Sequence, residues 1–253
     1  MCDVRGDVLT TVSVILPTYN ERDNIGPLIA AVLRNSQRWP TEVVVVDDDS
    51  PDGTWQVVQE MAERDRRVRL LRRIGERGLT SAIRAGIRAA GGDIVVWMDC
   101  DFSMPPEHIP ALVAAIADEG YDVAIGSRYV AGGRDIGHGL MARLFSRTIN
   151  LFAALLLGFG VRDYTSGFIA ARRALCEEIE LRGDYGEYCI DFLTRARRRG
   201  YRLREVGYVC GERRSGESKT GTNVLDYVRR GWKYVVTVWR LAMGKLSKES
   251  SSC

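Results

Sequence analysis

Several things the chain lacks narrow its identity. No glycine-rich loop of the G-x-G-x-x-G or P-loop type follows the first strand-like run, residues 12–17, which argues against a dehydrogenase or a P-loop NTPase. The six cysteines (Cys2, Cys100, Cys176, Cys189, Cys210 and Cys253) contain no C-x-x-C pair. Neither a zinc knuckle nor a disulfide framework is therefore expected, and the scatter fits a reducing compartment. The sequence does not open with a basic stretch followed by an apolar one, so no signal peptide is expected. The longest apolar run, residues 151–161, is shorter than the ~20 residues a membrane-crossing helix needs, and the expectation is a protein that does not span a bilayer. No internal repeat or low-complexity linker interrupts the chain.

What is present is a globular composition with an uneven charge distribution. Hydrophobic residues make up 45% and charged residues 27% of the 253, enough apolar material to build a core and too much for wholesale disorder. The net charge of +3 hides a division: residues 195–248 hold 15 Lys or Arg against 4 Asp or Glu, whereas residues 1–194 hold 21 against 28. An acidic body with a basic C-terminal fifth suits an anionic partner such as phosphate groups, an anionic membrane surface or nucleic acid. Nucleic acid is the weakest of these, because no RNA-binding aromatic signature accompanies the basic run.

Strand and helix signals alternate. Apolar, β-branched runs at residues 12–17, 42–47, 68–71, 93–99 and 122–126 read as strands. Helical spacing marks residues 21–34, 54–64, 80–90 and 106–118 between them. That alternation predicts an open α/β sheet, mostly parallel, with helices on its faces and ligands bound beyond the carboxyl ends of the strands. Those ends carry Pro17-Thr18-Tyr19-Asn20-Glu21, Asp47-Asp48-Asp49-Ser50 and Asp99-Cys100-Asp101. We divide the chain into an α/β domain, residues 1–220, and an amphipathic basic extension, residues 221–253.

On an extended segment residues i and i+2 point the same way, so Asp99 and Asp101 converge. Two close carboxylates repel unless a cation sits between them, and hard oxygen donors suit Mg2+ or Mn2+. Such ions complete their shell with substrate phosphates, which points to a diphosphate. A bare D-x-D also occurs by chance in solvated turns; its place after an apolar strand is what gives it weight. The knot of residues 47–54 has a structural reading too, since Ser50-Pro51-Asp52-Gly53 is a good turn with a helix-capping acid. Four acids in six residues exceed what a turn needs, and strand-end acids can accept hydrogen bonds from ribose hydroxyls or a base edge.

Taken in order, Leu16-Pro17-Thr18-Tyr19-Asn20-Glu21, Asp47-Asp48-Asp49-Ser50, Gly78-Leu79, Asp99-Cys100-Asp101 and Gly126-Ser127-Arg128-Tyr129 resemble the GT-A-fold family 2 glycosyltransferases. Ser146-Arg147, Asp163-Tyr164-Thr165-Ser166-Gly167-Phe168 and Glu212-Arg213-Arg214-Ser215 resemble the dolichol-phosphate (polyprenol-phosphate) mannose synthase branch. The resemblance spans roughly residues 12–220. It implies that Pro17, Tyr19 and Glu21 line a nucleotide pocket, with Asp47 and Asp49 near base and ribose. Asp99, Cys100 and Asp101 would meet the donor, with Asp99, Asp101 and Ser103 around a metal. Arg128, Arg147, Arg213 and Lys219 would lie around the phosphates, with Asp191 in the acceptor region. Asp99, Asp101, Asp191 and Arg213 would then form the catalytic set. Cys100 and Phe102 depart from the family's usual Asp-Ala-Asp followed by Leu or Gly. Asp49 replaces a usual Asn, and Arg77 stands where a lysine is common.

The resemblance implies inverting transfer of mannose from GDP-mannose to a dolichyl or polyprenyl phosphate. The alternatives are a UDP-glucose or UDP-N-acetylglucosamine donor, a hydroxyl acceptor, or a nucleotide-sugar-binding module without turnover. Leu151, Phe152, Leu155, Leu156 and Phe159 form one apolar stripe beside Arg143 and Arg147, and Leu225, Val228, Trp232, Val235, Trp239 and Ala242 form another. Core packing explains either stripe alone. Together, beside a basic loop, they suggest peripheral attachment to the cytoplasmic face of a membrane, directly or through a membrane-anchoring partner.

Overall fold

The computed structural model describes residues 10–214 and 224–249, with the side chains of the last helix described for residues 231–244. Lys219 lies outside the described residues. In chain order the elements are β1 (Val12–Thr18), α1 (Arg22–Asn35), β2 (Thr41–Asp47), α2 (Thr54–Arg64), β3 (Val68–Arg72), α3 (Leu79–Ala89), β4 (Ile94–Trp97), α4 (Ile109–Ala117) and β5 (Val123–Ser127). There follow β6 (Arg134–Asp135), α5 (Leu140–Leu157), β7 (Ile169–Arg172), α6 (Arg173–Glu178), α7 (Glu187–Arg198), β8 (Leu203–Gly207), β9 (Val209–Cys210) and α8 (Val224–Glu249).

The main sheet has seven strands in the order β3-β2-β1-β4-β7-β5-β8, and a separate ribbon pairs β6 with β9. All pairings in the main sheet are parallel except those of β7, which runs antiparallel to β4 and β5. The expected α/β sheet of GT-A type is present. Its antiparallel strand lies in residues 169–172, a run too short to announce its direction in the sequence.

Strand periodicity fills two cores. Ile15, Val44, Val46, Val95 and Trp97 face one layer, where residues from α3, α5, α6, α7 and α8 pack. Val14, Leu16, Val43, Val45, Ile94 and Val96 face the other, covered by α1, α2 and α4. Both faces of the central strands are buried, which is why their sequences are apolar runs rather than alternations. The close approach of α3 requires Gly86: a Cβ there would lie 2.4 Å from Ile15 Cγ2.

The chain moves outward from β1 through β2 to β3, then returns to place β4 on the other side of β1. Adjacent strands leading in opposite directions leave a crevice at their carboxyl ends, and Pro17 and Asp99 both border it. The segment of residues 144–161, expected to form an interfacial helix, lies mostly in α5, which starts at Leu140, spans 18 residues and is long and apolar enough to cross a membrane by length and composition. It lays Ile149, Asn150, Ala153, Ala154 and Leu157 into the domain. α8 joins the same core through Val238 and Leu241 and packs against α5 and α7.

Candidate active site

Each of the polar strand ends is followed by a non-glycine residue in the left-handed region: Asn20 (φ 55°) after β1, Asp49 (φ 55°) after β2 and Phe102 (φ 67°) after β4. For a bulky residue such as Phe102 this is a real conformational cost, and such residues persist where the surroundings hold them in place. These turns lie at the strand ends that border one cleft, which takes in Tyr19 and Glu21 after β1, Asp48 after β2 and Asp99 and Asp101 after β4.

The cleft has two halves that share Leu79, Asp99, Asp101, Tyr185 and Arg213. The larger, of about 870 Å3, is bordered by Pro17, Tyr19, Glu21, Asp48, Arg77 and Cys100. The smaller, of about 450 Å3, is bordered by Ser103, Arg128, Asp135, His138, Ser146, Thr165 and Cys210, with Ala142, Phe145 and Tyr234 bringing in α5 and α8.

At the junction the Asp99 carboxyl is pushed up to about 7, first by burial and then by the charge of Asp101, with Arg213 opposing. Asp101 Oδ1 accepts hydrogen bonds from the Ser103 backbone N–H (2.9 Å) and hydroxyl (2.6 Å). Its Oδ2 meets Arg213 Nη2 at 2.8 Å, and Arg213 Nη1 reaches Glu21 Oε1 at 3.2 Å. A guanidinium thus stands against the carboxylates where the residue chemistry calls for positive charge. Among the described residues Asp99 forms no ion pair, and burial together with the neighbouring Asp101 charge outweighs the pull of Arg213 and His138 on it. This all-oxygen, charge-deficient pair fits Mg2+ or Mn2+. Ser103 serves as the anchor of Asp101, and Cys100 Sγ donates to the Pro17 carbonyl at 3.3 Å, tying the ends of β4 and β1 together.

In the larger half, Tyr19 lies under the Arg77 guanidinium, 3.5 Å from its ring centroid, a flat cationic platform suited to a nucleotide. Asp47 and Asp49, expected near base and ribose, do not border the cavity. Asp47 is fully buried and accepts from Thr18 Oγ1 (3.0 Å), Ser50 N (2.8 Å) and Ser50 Oγ (2.7 Å), stapling two loops. Asp49 turns outward to Arg72, whose Nε donates at 2.7 Å. Asp48 borders the cavity instead, held by Arg73 Nε at 2.7 Å and the Gly78 N–H at 2.8 Å. The left-handed turn at Asp49 reverses which acid faces inward, something strand alternation could not foretell.

The basic residues divide likewise. Arg213 is at the junction. Arg128 borders the smaller half, but its guanidinium is committed to Asp163 through two bonds of 2.8 Å and to Thr165 Oγ1 at 2.8 Å. That pair fixes the loop after β5. Arg147 faces away, onto a separate depression of about 340 Å3 with Leu151 and Phe159. Asp191, at 2% exposure, is clamped by Arg195 Nε (2.7 Å) and Arg240 Nη2 (3.1 Å), joining α7 to α8, and borders neither half of the cleft. Its i,i+4 arginine on a helix makes the ion pair local and predictable; the helix rotation that buries it is a tertiary fact.

Sequence reasoning missed Asp135, His138 and Cys210. No spacing rule links residues 138 and 210; the β6–β9 ribbon brings them together. His138 is pushed up to about 10, chiefly by its hydrogen bonds to Asp135 and then Cys210.

Comparison with known proteins agrees with this architecture. Residues 13–180 match the family described as Glycosyl transferase family 2. The dolichol-phosphate mannosyltransferase of Pyrococcus furiosus is 39% identical over 221 residues, covering 86% of this chain and 62% of that protein. The polyprenol monophosphomannose synthase of Mycolicibacterium smegmatis is 40% identical, covering 84% of this chain and 82% of that one. The undecaprenyl-phosphate mannosyltransferase of Micrococcus luteus is 36% identical, with coverage of 85% and 89%. The chain thus spans about three fifths of the length of the Pyrococcus relative. Among solved structures, glucosyl-3-phosphoglycerate synthase from Mycobacterium tuberculosis bound to UDP superposes with a TM-score of 0.69 at 21% identity, covering 92% of this chain and 80% of that one, a likeness of fold. The same enzyme has been solved with Mn2+ and UDP. With a family match over most of its sheet and three relatives of at least 36% identity, this chain belongs to glycosyl transferase family 2.

Proposed function

We propose that this chain transfers mannose from GDP-mannose to the phosphate of a dolichyl- or polyprenyl-type lipid, with inversion at the anomeric carbon and with Mg2+ or Mn2+ at Asp99 and Asp101. The observation that carries this reading is the meeting of a donor-sized and an acceptor-sized cavity at Asp99, Asp101 and Arg213. The names of the three relatives, all mannosyl or phosphomannose enzymes of polyprenyl lipids, support the choice of sugar and acceptor.

The residues account for the chemistry as follows. Tyr19 and Arg77 receive the nucleotide in the larger half, with Asp48 and Glu21 bordering it. A divalent ion held by Asp99 and Asp101 would offset charge building on the departing diphosphate, worth several kcal/mol of barrier. Arg213 adds a planar fork beside the same carboxylates, suited to holding phosphate oxygens in two contacts. The acceptor is a phosphate monoester whose second pKa is ~6, so at neutral pH it is largely dianionic and needs orientation rather than a general base. One of its oxygens attacks the anomeric carbon as the bond to the nucleoside diphosphate breaks, and in-line attack inverts that centre. No proton need be removed, consistent with an Asp191 that serves α7–α8 packing.

A lipid acceptor also accounts for the outer face of α5 and α8. Leu140, Met141, Leu144, Leu155, Trp232 and Trp239 are all more than half exposed and flank the helices that wall the smaller half of the cleft. Peripheral attachment of this face to the cytoplasmic leaflet would present the lipid phosphate at the cleft mouth.

The decisive experiment is transfer of labelled mannose from GDP-mannose to a polyprenyl phosphate, with Mn2+ or with chelator. We expect transfer with Mn2+ that chelator abolishes. No transfer with Mn2+ present would overturn donor and acceptor together. Transfer from UDP-glucose or UDP-N-acetylglucosamine under the same conditions would replace the donor alone.

A further inference from the structure

A second cluster of metal-competent side chains lies apart from Asp99 and Asp101, and its donor chemistry differs. Asp135 and Cys210 are direct cross-strand partners in the β6–β9 ribbon, and His138 follows on the turn after β6. Their ligand atoms all lie within 4.8 Å of one another. His138 Nδ1 is 3.0 Å from Asp135 Oδ1, 3.2 Å from Asp135 Oδ2 and 3.7 Å from Cys210 Sγ. Around a tetrahedral zinc ion with Zn–S of about 2.3 Å and Zn–N and Zn–O of about 2.0–2.1 Å, neighbouring ligand atoms are spaced by about 3.3–3.6 Å. The two separations from His138 Nδ1, to Asp135 and to Cys210, already stand close to that spacing, and the Asp135 and Cys210 ligand atoms are within 4.8 Å of each other.

The backbone brings them there by a close approach that needs glycine. A Cβ on Gly137 would fall 1.8 Å from the Gly211 carbonyl oxygen, so any side chain at that turn would push His138 away from Cys210. Asp135 and Cys210 are at most 9% exposed, whereas the His138 side chain is about half exposed, and all three border the smaller half of the cleft. Among the described residues the arginine paired with Asp135, Arg128 with Nη1 at 3.4 Å from Oδ2, is already bound to Asp163 and leaves Oδ1 facing His138. Thiolate and imidazole with a single carboxylate favour zinc-class ions, while the oxygen-only Asp99–Asp101 pair favours Mg2+ or Mn2+.

We propose that Asp135, His138 and Cys210 form a binding site for a zinc-class divalent ion, separate from the Asp99–Asp101 pair, whose fourth coordination position opens into the smaller half of the cleft. Three protein ligands with one position open is the arrangement of a zinc site that takes water or a substrate oxygen as its fourth ligand. An ion there would stand beside the space proposed for the acceptor phosphate.

Cobalt(II) titration of the full chain, with excess Mg2+ present to occupy oxygen-only sites, tests this without reference to sugar transfer. The expected result is one equivalent of Co2+ bound per chain, with a thiolate-to-cobalt charge-transfer band and the intense visible bands of a tetrahedral ion, all removed by Zn2+. The spectrum should persist in Asp101→Asn and vanish in Cys210→Ser. Absence of the band in the unaltered chain, or its survival in Cys210→Ser, would overturn the proposal. If Cys210→Ser fails to fold, His138→Ala, altered at a half-exposed position, decides: affinity should fall at least about tenfold, the scale seen for lesser outer-shell changes, and unchanged affinity would refute the site.

Discussion

At the residue scale, the junction of the cleft is set by three side chains whose charges do not cancel. Asp101 is paired with Arg213, whereas Asp99, buried beside Asp101, forms no ion pair among the described residues and is pushed up to about 7. Asp101→Asn should keep the hydrogen bonds from Ser103 but remove the charge that fixes both Arg213 and the cation. We expect kcat with Mn2+ to fall roughly a hundredfold or more, since several kcal/mol of leaving-group stabilisation are at stake. A variant within threefold of the unaltered enzyme would remove the metal from the mechanism. Asp99 makes a second prediction. Its carboxyl ionises near 7 in the folded chain and near 3.8 when unfolded. Between those values the unfolded chain has released a proton that the folded chain keeps, so stability falls as pH rises through that window. In chelator, the melting temperature should drop from pH 4.5 to pH 7.5 more steeply than in Asp99→Asn. Added Mn2+ should restore it most at the higher pH. A drop of equal steepness in Asp99→Asn would assign the trend elsewhere.

At the scale of elements, most of the sheet was legible because its strands obey a simple rule. β1, β2 and β4 are apolar on both faces, and burial on both faces is what a central parallel strand needs. The polar strand ends were legible for the same reason, since polarity begins where the sheet stops covering the chain. Shorter elements escaped. β6 and β9 are two residues each and β7 is four, below the length at which periodicity can be recognised. The inward acid of residues 47–49 also escaped, because the turn at Asp49 makes Asp48 the residue that faces the cleft. The β6–β9 ribbon yields a test of its own. In Gly137→Ala the new methyl meets a backbone carbonyl that cannot rotate away. Overpacking of about 1–3 kcal/mol should lower the melting temperature by several degrees. It should also reduce mannose transfer, because the loop bearing Arg213 follows directly from β9. Unchanged melting and unchanged transfer together would show that the ribbon does not hold the site in place.

At the scale of the whole molecule, the two apolar stripes have different fates on their two sides. The inner sides of α5 and α8 close the core through Ala153, Leu157, Val238 and Leu241. Their outer sides leave Leu151 at 57%, Leu155 at 63%, Trp232 at 67% and Trp239 at 58% exposure. The inner sides thus pack into the core, and the exposed outer sides are the surface on which the proposed membrane attachment rests. Replacing both tryptophans (Trp232→Ala with Trp239→Ala) should weaken binding to anionic phospholipid vesicles by about a hundredfold, each indole contributing roughly tenfold through buried apolar area. Activity on a short-chain acceptor in detergent should change little, since neither tryptophan borders the cleft. Undiminished vesicle binding would move the membrane-facing surface elsewhere on the protein.

By itself the sequence determined the alternation of strands and helices, the polar strand ends, the D-x-D carboxylates and the division into acidic body and basic tail. These are local properties: side-chain period, chain-breaking residues and charge are written in neighbouring positions. Only the tertiary structure decided that Asp48 faces the nucleotide half, that Arg128 and Asp191 are held by partners, that Arg147 looks outward, and that Asp135, His138 and Cys210 meet. Each depends on a helix rotation, a left-handed turn or a pairing across many residues of chain. Such choices are made by burial and by competition among available partners, and no short stretch of sequence contains both sides of that competition.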